Sequence, residues 1–163
     1  MSETQVKINL YVNRKKVQTE VEPRLLLADF LRDSLGLKGT HLGCEQGICG
    51  ACTILLDGKS VRSCLLFAIQ CDGHSIITVE GLSEKDKLHP LQQIFLENES
   101  LQCGFCTPGM LMTVLGYTLK FNGRITEDEA RKIISGNICR CTGYEPIIKA
   151  IVKYGEIGDF LGS

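Results

Sequence analysis

The chain has no surplus of charge of either sign: 18 Lys and Arg stand against 19 Asp and Glu, a formal net charge of −1. The two signs are interspersed, so there is no basic stripe of the kind a nucleic-acid binder needs. Nucleic acid is therefore not an expected partner. Apolar runs are also short, and none approaches the ~20 residues of a bilayer-spanning helix. The opening residues, Met1 to Lys7, turn polar at once, without the apolar centre of a secretory signal. These features predict a cytoplasmic protein with no membrane span.

Several chemical signatures are missing as well. There is no G-x-G-x-x-G fingerprint, no phosphate-binding P-loop, no G-x-S-x-G elbow and no H-E-x-x-H. No catalytic residue for substrate conversion is expected in this chain. His41, His74 and His89 stand singly, which argues against the Cys/His pairing of a Rieske centre. They read as ordinary surface or core histidines.

What is plentiful is cysteine and glycine, nine and 17 among 163 residues. With 44% hydrophobic residues, a chain of this length can bury a core without cross-links, as one domain or two small ones. Disulfides are a poor explanation for the cysteines, because a reducing compartment disfavours them and an odd count leaves one unpaired. Metal or redox chemistry is the expected use.

Apolar periodicity divides the chain. Val6, Ile8, Leu10 and Val12 alternate with polar residues, Asn13 to Lys16 turn the chain, and Val17, Thr19 and Val21 alternate again, the pattern of a hairpin. Leu26, Leu27, Phe30, Leu31 and Leu35 recur at helical spacing before Gly36, a C-cap residue. Thr53 to Leu56 and Lys59 to Val61 flank Asp57-Gly58, a two-residue hairpin signal. Ser75 to Val79 reads as a last strand. From Leu82 the period becomes helical: a short helix after Pro90, a longer one from Met110 to Leu119 with Thr107 as N-cap and Pro108 as first residue, a third opened by a Thr126/Glu129 capping box, and a fourth opened by Pro146. The charged segment Ser83 to Lys87 marks the expected boundary between domains at 1–81 and 82–163. The fold class is α+β.

The cysteines form two sets. Cys44, Cys49 and Cys52 have the C-x4-C-x2-C spacing of plant-type [2Fe-2S] ferredoxins, with Cys64, after the hairpin, as the natural fourth ligand. Gly43, Gly47 and Gly50 suit a loop that wraps closely around an inorganic core. Structural zinc favours paired short knuckles instead. Cys103 and Cys106 precede one helix start, and Cys139 and Cys141 precede another, so an anionic four-thiolate cluster would sit among helix N-termini that carry partial positive charge. A thioredoxin-like reading of Cys103-Gly104-Phe105-Cys106 lacks the βαβ setting and leaves Cys139 and Cys141 unused. Cys71 lies outside both sets, as a small buried hydrophobe.

Three segments together, Gly43 to Thr53, Gln102 to Gly109 and Asn137 to Tyr144, resemble the iron-sulfur subunit of the xanthine oxidase family of molybdenum hydroxylases. The resemblance implies a β-grasp, plant-type ferredoxin-like N-terminal domain and a C-terminal four-helix bundle domain. It implies an electron-transfer subunit with two [2Fe-2S] clusters, on Cys44, Cys49, Cys52 and Cys64 and on Cys103, Cys106, Cys139 and Cys141. It also implies partners: a large subunit with a molybdenum-pterin cofactor, contacted by Gln102 and Cys141, and a medium subunit with FAD, faced by the first cluster, in a heterotrimer open to further dimerisation. Such complexes hydroxylate or oxidise small molecules such as aldehydes or N-heterocycles, and the electrons leave through the helical-domain cluster, then the ferredoxin-like cluster, then FAD.

Overall fold

The computed structural model describes residues 5–83, 87–121 and 123–157; residues 84–86, at the centre of the expected domain boundary, lie outside them. Strand β1, Val6–Val12, buries Ile8, Leu10 and Val12 on one face, as its alternation dictates, and pairs antiparallel with β2, Lys15–Val21, with Leu10 opposite Val17. The turn between them is only Asn13-Arg14, both at positive φ (50° and 66°). Such a turn matches the right-handed twist of the strands, so Lys15 and Lys16 belong to the strand, not to the turn expected over Asn13 to Lys16.

The Asp57-Gly58 hairpin forms as its sequence signals. It joins β3, Thr53–Leu56, to β4, Lys59–Arg62, with positive φ at both turn residues. Strand β5, Ser75–Ile77, is shorter than expected, because the chain turns at Thr78–Gly81, where the Gly81 N–H donates to the Thr78 carbonyl at 2.9 Å. The sheet order is β2-β1-β5-β3-β4, with β1 and β5 parallel and the other pairs antiparallel.

Helix α1, Leu27–Asp29, widens at once into a π turn over Phe30–Ser34, in which the Leu35 N–H reaches the Phe30 carbonyl five residues back. Gly36 follows at φ +71°. This segment buries Leu27, Phe30 and Leu31 against Ile8, Leu10, Ile54 and Ile76. Cys71 is fully buried in the same core, and burial pushes its thiol up to about 11. Like other buried free thiols, it acts as a small hydrophobe.

Four helices follow among the described residues: α2, Pro90–Glu97; α3, Thr107–Thr118; α4, Glu127–Ile133; and α5, Glu145–Ile157. Helix α5 packs on α2 and α4, and α3 packs on α4, around Leu91, Phe95, Met110, Val114, Ile147, Ile151 and Tyr154. The capping box of α4 is present: the Glu129 N–H donates to Thr126 Oγ1, and the Thr126 N–H donates to Glu129 Oε2. The start of α3 differs from expectation. Cys106, not Thr107, is the N-cap, and Pro108 is the second helical residue, where its missing N–H has no partner to lose. Helix α5 likewise opens one residue earlier than expected, at Glu145.

The two halves share a seam, with α3 lying across β3 and β4. Sheet residue Leu55 joins the helical core. No helix among the described residues is long and apolar enough to cross a membrane.

Candidate functional site

The segment between α1 and β3 carries Cys44 and Cys49, both half-buried, and delivers Cys52 to the start of β3. Cys64 lies in the turn just after β4. Because β3 and β4 are paired, Cys52 and Cys64 come together: the Ser63 hydroxyl donates to the Cys52 carbonyl at 2.8 Å, and both cysteines pack on Ala28. All four expected residues therefore converge in one region, where the Cys49 side chain acts on the Cys44 thiol and that of Cys52 on the Cys64 thiol.

Backbone amides surround these sulfurs. Cys44 Sγ accepts the N–H groups of Cys49 (3.3 Å) and Gln46 (3.4 Å), which hold its thiol down to about 6. Cys64 is pushed the other way, up to about 11, first by burial and then by its neighbour Cys52. The glycines make the wrap feasible by different means. Gly50 has φ +76°, and an added Cβ there would meet the Gly136 carbonyl at 2.5 Å; at Gly43 a Cβ would lie 3.1 Å from Cys49 Sγ.

The second set converges in the same paired way. Cys103 and Cys141 are exposed, with sulfurs 3.4 Å apart, while the more buried Cys106 and Cys139 act on each other's thiols. The Phe105 N–H and then the Cys141 thiol hold Cys103 below the ordinary thiol range. Burial, then Cys139, pushes Cys106 up to about 12. Cys139 Sγ also lies 3.2 Å from Thr142 Oγ1. Gln102 is exposed beside Cys103.

Crowded thiols of this kind cannot all ionise in a half-buried site without a compensating cation. Among the described residues, no three or more His, Cys, Asp or Glu side chains are arranged to hold one metal ion; the sulfurs gather in twos. A [2Fe-2S] core divides four cysteine ligands between two irons. Eight soft thiolate donors in four pairs, ringed by N–H groups and glycines, fit two such cores.

Residues other than the cysteines hold the two regions against each other. Asn137 is buried, and its side-chain amide donates to the Gly50 carbonyl at 3.0 Å while its Oδ1 accepts the Thr113 hydroxyl at 2.9 Å. The next N–H, that of Ile138, donates to the Cys49 carbonyl at 2.8 Å. Tyr144 Oη accepts from the Cys139 N–H at 2.8 Å and donates to the Asn137 carbonyl at 3.1 Å. Arg62 donates to the Gly136 carbonyl at 2.6 Å. Cysteine spacing points to the ligands but not to these anchors, for which the local cue is that Asn137 and Tyr144 flank Cys139 and Cys141.

Comparison with known proteins agrees with both halves. Residues 10–73 match a family described as 2Fe-2S iron-sulfur cluster binding domain, and residues 78–152 match a [2Fe-2S] binding domain. The chain is 56% identical to caffeine dehydrogenase subunit gamma of Pseudomonas sp. (strain CBB1), covering 88% of this chain and 87% of that one. It is 40% identical to the aldehyde oxidoreductase iron-sulfur-binding subunit PaoA of Escherichia coli (strain K12), over 88% of this chain and 69% of that one. Among solved structures, a chain of quinoline 2-oxidoreductase from Pseudomonas putida 86 superimposes with a TM-score of 0.88 at 51% identity, covering 93% of both chains. Together with the paired sulfurs, these likenesses show that the chain belongs to the iron-sulfur subunits of the xanthine oxidase family of molybdenum hydroxylases, the electron-transfer members of those oxidoreductase complexes.

Proposed function

We propose that this chain relays electrons from a molybdenum-pterin centre in a large partner subunit to FAD in a medium subunit, as the small member of a cytoplasmic heterotrimer. Its domains are residues 1–81, a β-grasp ferredoxin-like unit, and 82–163, a four-helix bundle. Cys103, Cys106, Cys139 and Cys141 hold the cluster on the pterin side, where the exposure of Cys103, Cys141 and Gln102 leaves room for a partner's cofactor. Cys44, Cys49, Cys52 and Cys64 hold the cluster on the flavin side. A division of the ligands between irons as Cys44 with Cys49, Cys52 with Cys64, Cys103 with Cys141, and Cys106 with Cys139 is supported by the 3.4 Å approach of the Cys103 and Cys141 sulfurs and by the mutual influence of the other thiols. When bound, each cluster accepts and returns one electron.

The observation that carries this reading is the hydrogen bond from the Ile138 N–H to the Cys49 carbonyl. It joins a ligand of the first set to the residue before Cys139, a ligand of the second. One hydrogen bond thus completes a route through backbone between the two sets, with Asn137 and Tyr144 fixing its geometry.

The higher identity to subunits of caffeine and quinoline enzymes than to PaoA favours an aromatic N-heterocycle over an aldehyde as the substrate of the complex. The test is anaerobic addition of substrate to the purified complex. Quinoline or caffeine is expected to bleach the visible iron-sulfur absorption and develop two cluster EPR signals, and benzaldehyde to do so more slowly. Flavin reduction with both clusters left oxidised would refute the relay.

A further inference from the structure

His41 stands in the segment that leads into Cys44, in the sheet half of the molecule, yet its interactions are with the other cysteine set. Its ring stacks on Phe105, with centroids 4.8 Å apart and planes inclined by 20°. Its Nδ1 lies 2.8 Å from the Phe105 carbonyl oxygen. A carbonyl only accepts, so Nδ1 carries the proton and donates.

Phe105 sits between Cys103 and Cys106, and its N–H is the foremost group that holds the Cys103 thiol below the ordinary range. The residue before it, Gly104, is at φ +79°, and a Cβ there would meet nothing within 4 Å. Glycine at this positive φ gives the turn wide backbone freedom. The support comes from across the seam, where His41 holds both the ring and the carbonyl of Phe105.

We propose that His41 is a positioning residue for the second cluster, acting from the opposite domain. By fixing Phe105 it keeps that residue's N–H directed at the Cys103 sulfur. An N–H donor to a ligand sulfur favours the more negative, reduced cluster, and so raises its reduction potential. The inference rests on Cys103 being a cluster ligand, as in the function proposed above.

Its signature is a cross-domain effect. A substitution three residues from Cys44 moves the potential of the cluster on Cys103, Cys106, Cys139 and Cys141, and leaves the potential of its sequence neighbour in place. The experiment is an EPR-monitored redox titration of the intact complex carrying His41→Ala, His41→Phe or His41→Gln, with iron content measured on each. His41→Ala, which loses both stack and donor, is expected to shift the second cluster's midpoint to more negative values; His41→Phe, which keeps the stack, should shift it less. His41→Gln, which keeps a donor, should shift it less than Ala and covers the case in which the Ala variant loses its clusters. A second-cluster midpoint unchanged in all three, or a shift confined to the first cluster, would overturn the proposal. A wild-type complex with one cluster signal would instead overturn the ligand assignment beneath it.

Discussion

Cys44→Ala is expected to abolish one of two cluster EPR signals and to lower the iron content from about four per chain to about two, while the other signal persists. Cys44 Sγ is the sulfur that accepts the Cys49 and Gln46 N–H groups. Alanine removes a terminal ligand from one iron, and no other cysteine is placed to replace it, because Cys71 is enclosed in the sheet core. Cys141→Ala should produce the mirror result, removing the signal that Cys44→Ala spares. The contrast depends on the two sets being separate in space though joined by the Ile138–Cys49 hydrogen bond. If both substitutions diminished one and the same signal, the division into two quartets would fail.

Gly109→Ala should loosen the seam between the domains. An added Cβ at this position on α3 would lie 2.2 Å from the Gly50 carbonyl oxygen and 2.9 Å from that of Ala51, and both obstacles are backbone. Two effects compete. Alanine favours a helix over glycine by about 1 kcal/mol, whereas overpacking of a close contact costs about 1–3 kcal/mol, and more where rigid backbone must move. The second should win, because Gly50 is also held by the Asn137 amide and cannot retreat freely. The expected result is a lower melting temperature of the cluster-loaded protein, together with weaker magnetic interaction between the two reduced clusters. A melting temperature equal to or above that of the parent would show that α3 and the first loop are not in such close contact.

Much of this architecture was readable from local chemistry. Alternation in Val6–Val12, the Asp57-Gly58 dipeptide and the Thr126/Glu129 pair each specify their structure within a few residues, and each forms. The cysteine spacings were equally informative, because ligand geometry constrains sequence separation. Other features depend on partners far along the chain. The early end of β5 is one, since Thr78 turns away where its N–H donates to Asn13 Oδ1 at 2.9 Å, 65 residues back. The seam was not legible at all: Asn137 meets Gly50, and Gly109 meets Ala51, only after both domains have folded. His41 illustrates the same point, since a lone histidine among glycines gives no hint that its ring lies against Phe105, 64 residues on.

The central claim is that eight thiolates from two stretches of one chain hold two di-iron cores. Chemical analysis of the purified protein for iron and acid-labile sulfide tests it most directly. Two [2Fe-2S] centres require about four of each per chain in a coloured protein. A colourless protein with stoichiometric zinc, or one saturating at about two irons and two sulfides, would contradict the account.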